Sequence, residues 1–121
     1  KTPVIKDDGK SMKGFLYIRD TVGALKMLAE STEKKEIWGK AFNFYPDKNS
    51  SVLDVAKTIL NVMGREDIDI EIMGLVHQKH ERMVEFLDNM NAKDKLGWKQ
   101  KTPLEVGIKL ALEDYKKYEI I

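Results

Sequence analysis

Cysteine is absent from the 121 residues, which removes disulfide frameworks, thiolate nucleophiles and zinc ribbons together. Histidine occurs twice, too seldom for most histidine-rich metal sites. Charge of one sign is missing as well: 21 Lys and Arg face 20 Asp and Glu, for a formal net charge of +1. That balance argues against broad attraction to a phosphate backbone, so nucleic acid is set aside as a partner, while a local basic pocket stays open. No apolar run approaches the roughly 20 residues that cross a bilayer, and no secretory leader pattern opens the chain. The expectation is a soluble, cytoplasmic chain with no membrane partner. Glycine-rich phosphate loops are lacking too, since Gly9 and Gly14 stand alone and neither sits between a strand and a helix. No P-loop or nucleophile elbow appears.

What remains is enough for one core. With 42% hydrophobic residues, a chain of this length can bury roughly two-thirds of its unfolded surface without staples. Pro3 to Lys6 reads as a short extended piece closed by the turn residues Asp7-Asp8-Gly9. Met12 to Ile18 alternates like a second strand. Asp20 is placed as the N-cap of a helix carrying Val22, Ala24, Leu25, Leu28 and Ala29. Ala41 to Phe44, bounded by Gly39 and Pro46, reads as a strand, and Tyr45 to Asn49 as a loop. Asn49-Ser50-Ser51 fits a glycosylation sequon but reads as a turn entering a helix.

Ser51 with Asp54 resembles a capping box for that helix, whose stripe ends at Gly64. Ile68, Ile70 and Ile72 alternate with acids as in a half-buried strand. Asn89 to Leu96 gives a short helix stopped by Gly97. Thr102-Pro103-Leu104-Glu105 starts the last helix, with Thr102 as cap and Leu104, Ile108, Leu112 and Tyr115 on one face to about Tyr118. The order β-β-α-β-α-β-α-α describes an α+β chain with few short strands and four helices.

Candidate chemistry is sparse. On a helix, His77, His80 and Glu81 would share a face and could hold a metal. The surrounding residues lack helical period and a fourth ligand, so an exposed or pocket-lining polar loop is the reading kept. Asp7-Asp8 and Glu66-Asp67 read as turn formers rather than a general acid and base. Basic residues next to aromatics, at Lys10, Lys13, Phe15 and Tyr17 and again at Trp98, Lys99 and Lys101, read singly as solvated rims with anion contacts open to them.

Several of these segments, taken in order, resemble one family. Gly9 to Val22 (GKSMKGFLYIRDTV) resembles the "G…R-D-F-x-Y-V-x-D-x-V" segment of extended short-chain dehydrogenases/reductases, the NAD-dependent nucleotide-sugar epimerases and 4,6-dehydratases. Ala41-Phe42-Asn43-Phe44 resembles their "x-[FY]-N-[FI]-G" strand, and Ser51 to Val55 their "S-V-x-E-[VI]" helix start. Asp88 with Ala92-Lys93 is similar to "D-x-x-K-A". Leu96-Gly97-Trp98-Lys99 followed by Thr102 to Gly107 resembles "L-G-W-x-P-x-x-x-L-E-x-G", and Tyr115 to Tyr118 the closing "W-Y-K-x-Y". His80-Glu81, shortly before Asp88, is most similar to CDP-glucose 4,6-dehydratase and its relatives.

The resemblance implies the substrate-binding C-terminal portion of such an enzyme, residues 1–121 forming a single unit, with the NAD-binding Rossmann core absent. The family's glycine-rich cofactor turn, Tyr-x-x-x-Lys pair and Ser/Thr lie upstream of the match. None of Tyr17, Tyr45, Tyr115 or Tyr118 is followed by Lys four positions later. The chain opens Lys1-Thr2-Pro3, without Met, and is expected to be a piece of something longer. On this reading it carries no catalytic, cofactor-binding or metal residue, and NAD belongs to the full-length parent.

By resemblance, Lys13 stands at the phosphate-binding Arg, Asn43 near the nucleotide, and His80, Glu81 and Arg82 in a loop closing over nucleotide and diphosphate. Lys13 keeps the charge but loses the bidentate fork. Tyr45 replaces the usual Gly after the "F-N-F" strand, and Asn91 the Lys of "K-A". The implied partner is a nucleotide sugar. The Thr21–Glu30 helix and the Ala41–Phe44 strand are expected to expose the apolar faces that otherwise meet the Rossmann domain, and so to favour a homo-oligomer. The alternative is a non-catalytic interaction or regulatory module retaining the same fold.

Overall fold

A computed structural model describes residues 2–75 and 84–119. Strands β1 (Val4–Ile5), β2 (Met12–Lys13), β3 (Ser50–Ser51) and β4 (Glu71–Ile72) form two small sheets. β1 pairs with β4 in parallel, Val4 opposite Glu71 and Ile5 opposite Ile72. β2 pairs with β3 antiparallel, Met12 opposite Ser51 and Lys13 opposite Ser50. Three α-helices complete the frame: α1 (Ile18–Glu30), α2 (Val52–Val62) and α3 (Leu104–Lys117). A 3-10 turn at Lys35–Ile37 and a π-helical turn at Ala92–Leu96 lie between them. The α+β class holds, with the expected fourth helix present as the π turn. None of the described helices is long and apolar enough to cross a membrane.

The start of α2 shows how the turn after β1 is used. A helix leaves its first four amides without internal partners. Here Val52 N donates to the Ser11 carbonyl at 3.2 Å and Leu53 N to the Gly9 carbonyl at 3.0 Å. Asp54 N donates to Ser51 Oγ at 3.0 Å, so Ser51 is the expected cap. Gly9 can present its carbonyl there because its φ is 71°, a backbone state that costs glycine nothing. Gly64 (φ 66°) and Gly97 (φ 71°) follow the last turns of α2 and the π turn, as left-handed residues do beyond a helix end.

Five expectations are corrected. The second strand stops at Lys13, and Ile18 already belongs to α1, because β3 offers only two residues to pair with. The N-cap of α1 is Tyr17, and it makes no side-chain cap bond; Asp20 lies inside the first turn. Thr102 is likewise not the cap of α3, a place taken by Pro103. Ala41–Phe44 forms no strand. In place of a ladder, Asn91 Nδ2 donates to the Ala41 carbonyl at 3.3 Å, and the segment's own Asn43 Nδ2 donates outward to the Asp88 carbonyl at 2.9 Å. Similarly, only Glu71–Ile72 of the isoleucine-rich run pairs as strand.

The core gathers Ala24, Ile37, Ala92, Leu96 and Trp98, with Phe42, Phe44, Met27 and Leu28 packed against them. Phe44 meets Trp98 edge to face at 5.3 Å between ring centres, a geometry worth about 1 kcal/mol beyond area burial. The exposed-face expectation therefore divides. On α1, Val22 and Leu25 are 56% and 58% exposed, whereas Phe42 and Phe44 are covered by the chain's own core.

Candidate functional site

Lys13 lies on β2, with β3 along one side and the segment from Val84 along the other: Glu85 N donates to the Met12 carbonyl at 3.0 Å, and Met12 bridges to Val84 in parallel. This places the Glu85 carboxylate 3.9 Å from Lys13 Nζ, both side chains partly exposed. Asn43 reaches the same segment further along, through the Asp88 carbonyl. The structure thus ties Lys13 and Asn43 to one common strip, residues 85–88. His80, Glu81 and Arg82, like His77, lie outside the described residues. Among the described residues no group of His, Asp or Glu could hold a metal ion.

Between these two positions sits a residue that sequence reasoning noted only as a departure. Tyr45 is 5% exposed. Its hydroxyl lies 2.6 Å from the Glu85 carbonyl and 2.9 Å from Asn49 Oδ1, and Asn49 Nδ2 donates to the same carbonyl. Asn89 Nδ2 closes the arrangement on the Tyr45 carbonyl at 2.9 Å. The Tyr45 ring covers Gly14, where an added Cβ would collide with it, and meets Phe86 edge to face at 6.1 Å. Burial, and secondarily the Glu85 carboxylate, push the Tyr45 hydroxyl above its ordinary pKa of 10.0. The signal for this lay in the motif pattern: Gly14 stands where the family has Asp, and Tyr45 where it has Gly. The two departures fit each other in space.

A second feature missed from sequence is Asp20. It is 6% exposed and accepts from Lys101 N at 3.0 Å, Thr102 N at 2.8 Å and Thr102 Oγ1 at 3.1 Å. The carboxylate placed as a local cap instead ties the start of α1 to the approach to α3. Charge-assisted bonds to backbone amides are among the stronger ones in proteins. Gly107 of α3 packs on the Tyr17 ring, its absent Cβ only 3.2 Å from Tyr17 Cβ. Lys13 and Asn43 are therefore carried on a frame whose two ends are fixed by Asp20 and by the Tyr45 network.

No family model matches the chain. It is 30% identical over 111 residues to a trifunctional UDP-glucose 4,6-dehydratase/UDP-4-keto-6-deoxy-D-glucose 3,5-epimerase/UDP-4-keto-L-rhamnose-reductase of Arabidopsis thaliana, covering 92% of this chain and 16% of that protein. It is 29% identical over 116 residues to the dTDP-D-glucose 4,6-dehydratase of Mus musculus, covering 93% of this chain and 32% of the enzyme. The chain is similar to one part of the nucleotide-sugar epimerases and dehydratases. It spans a third or less of the length of these curated relatives.

Solved structures agree on the fold. The UDP-glucuronic acid 4-epimerase of Bacillus cereus, in complex with UDP-glucuronic acid and NAD, superposes with a TM-score of 0.81 at 22% identity, over 98% of this chain and 36% of that one. The UDP-glucose 4-epimerase of Thermotoga maritima with UDP-glucose gives 0.78 at 24% identity, again over 98% of this chain and 36% of that one.

Proposed function

We propose that this chain is the nucleotide-sugar-binding C-terminal portion of an NAD-dependent nucleotide-sugar 4,6-dehydratase or epimerase of the extended short-chain type. The observation that carries the proposal is the extent of the match: 92–93% of the chain aligns with dehydratases of which it spans 16–32%. Its role is binding and orientation, with Lys13 offered to the diphosphate and Asn43 to the nucleotide side, and His80, Glu81 and Arg82 joining them by resemblance. Holding reactants in place is a large share of what such an enzyme supplies, while hydride chemistry belongs to the cofactor. NAD does not fit the residues described here. Dinucleotide sites use a glycine-rich turn at the end of a parallel strand, and each described strand has two residues. No step is therefore derived through NAD, which the proposal assigns to the rest of the parent, in the cytoplasm.

The finer assignment to CDP-glucose 4,6-dehydratase rests on His80-Glu81, and titration of the parent with CDP-, UDP- and dTDP-glucose tests it directly. The general proposal is tested by reading the coding sequence upstream of Lys1 for a glycine-rich turn and Tyr-x-x-x-Lys. Those motifs are expected there, and Lys13→Ala in that parent should weaken nucleotide-sugar binding about tenfold, the worth of one charge-assisted contact. A parent without the motifs, or with unchanged affinity, refutes it. The 121-residue chain alone should bind nucleotide sugar and NAD weakly or not at all, and micromolar binding by it contradicts the fragment reading.

One observation favours the second reading, a non-catalytic interaction or regulatory module. Lys13 already faces Glu85 at 3.9 Å, and an incoming diphosphate has to displace or outbid that carboxylate. Under either reading the exposed face of α1, with Val22 and Leu25, favours self-association of the isolated chain. Sedimentation tests this: Leu25→Glu should shift the chain toward monomer, and a monodisperse unmutated monomer removes the idea.

A further inference from the structure

We propose that the groove between α1 and the 97–101 segment is an anion site for a small phosphorylated ligand, held chiefly by Lys99 and Lys101. The groove encloses about 620 Å³, inside the range of about 300–1,000 Å³ typical of small-molecule sites. Arg19 and Lys26 line it from α1, Lys99 and Lys101 from the opposite wall. Two acids, Asp20 and Glu30, also line it. The groove therefore holds an excess of two positive charges, where the whole chain has an excess of one.

The acids do not cancel the lysines. Asp20 spends its carboxylate on the three bonds to Lys101 N, Thr102 N and Thr102 Oγ1. Glu30 lies 3.6 Å from Lys26, and Arg19 lies 3.5 Å from Asp114. Both are exposed pairs, which hold little energy and exchange readily. Lys99 and Lys101 make no ion pair among the described residues.

Geometry adds to charge. Lys99 and Lys101 both line the groove. The Asp20 bond to the Lys101 amide fixes their register against α1, so the site is largely organised before a ligand arrives. Trp98, 3% exposed, forms a rigid floor beside them. A Cβ added at Gly23 or at Gly97 would meet nothing within 4 Å, which leaves open the space between the walls. Lysines facing an arginine across such a gap suit the two to three charges of a phosphate or diphosphate better than a single carboxylate. Lys13 does not line this groove, so the site is separate from the nucleotide-sugar proposal and does not rest on it.

The test titrates inorganic pyrophosphate into the 121-residue chain at constant ionic strength, following amide shifts of residues 97–101. Trp98 emission in a Trp38→Phe background gives a second readout. Saturable shifts at these residues are expected, and Lys99→Gln with Lys101→Gln should weaken binding about tenfold or more. Three results overturn the proposal: no saturation, an equal response to chloride, or indifference to the double substitution. Both lysines are exposed, so far-UV circular dichroism of the double variant should match the parent chain.

Discussion

Replacing Gly14 with Ala isolates the packing of Tyr45. The backbone at Gly14 does not require glycine, since its φ is not among the positive ones. An alanine there would ordinarily stabilise the protein by roughly 0.4–1 kcal/mol, by narrowing the unfolded ensemble. The Tyr45 ring reverses that sign. Its Cζ, Cε2 and hydroxyl oxygen occupy the volume of the new Cβ, and the ring cannot swing aside without giving up the Asn49 and Glu85 contacts of its hydroxyl. Overpacking of this kind costs about 1–3 kcal/mol, and one lost buried hydrogen bond about 1 more. Gly14→Ala is therefore expected to destabilise by about 1–3 kcal/mol in the wild-type background.

The decisive measurement is a double-mutant cycle by urea unfolding. Tyr45→Ala alone should cost about 3–4 kcal/mol, in line with removal of a large buried ring. In that background Gly14→Ala meets no ring and should be neutral or stabilising by up to about 1 kcal/mol. The coupling between the two positions is then about 2 kcal/mol, with Cm moving and m constant. Additive effects, or a stabilising Gly14→Ala in the wild type, would refute the idea that these two departures from the family pattern compensate one another.

Two further outcomes follow from the same frame. Asp20→Ala removes a 6%-exposed carboxylate and its three bonds, and should cost about 2–3 kcal/mol in urea melts; Asp20→Asn, which keeps one acceptor oxygen, should recover part of it, and a neutral Asp20→Ala contradicts the clamp. For Tyr45 the folded-state pKa is raised above the unfolded value of 10.0, so its stabilising contribution is complete below pH 10 and declines as pH rises past that value toward the folded-state pKa. Tyr45→Phe should thus cost about 1 kcal/mol near neutrality and flatten the alkaline loss of stability, whereas an unchanged alkaline limb assigns that loss to another group.

Elements set by near neighbours were legible in the sequence, and those set by distant ones were not. The stripe of α2, its Ser51 cap and its Gly64 stop depend on contacts within a few residues, and all appear as read. Asp20 was misplaced because cap chemistry assumes the nearest amides, whereas its actual partners lie 81 and 82 positions away. The Ala41–Phe44 segment has strand composition, yet composition cannot supply a neighbouring strand, and it is held instead by side-chain bonds, Asn91 to the Ala41 carbonyl and Asn43 to the Asp88 carbonyl. Lys13 and Asn43 were singled out through motif order, but Glu85 was not, because only the chain's return past β2 sets it beside Lys13.

That return decides how the Lys13 position should be understood. A lysine 3.9 Å from an exposed carboxylate gains little from the pair, since such surface contacts are worth about 0–1 kcal/mol. On the proposed nucleotide-sugar reading, a diphosphate offers more charge at the same distance and would displace Glu85 at small cost. The Tyr45 network fixes the backbone of Glu85 through its carbonyl, and among the described residues its carboxylate pairs with Lys13 alone. On the proposed reading, the segment is thus held by its backbone where it carries the chain and left exchangeable at the side chain where a ligand would arrive, as a preorganised binding surface needs.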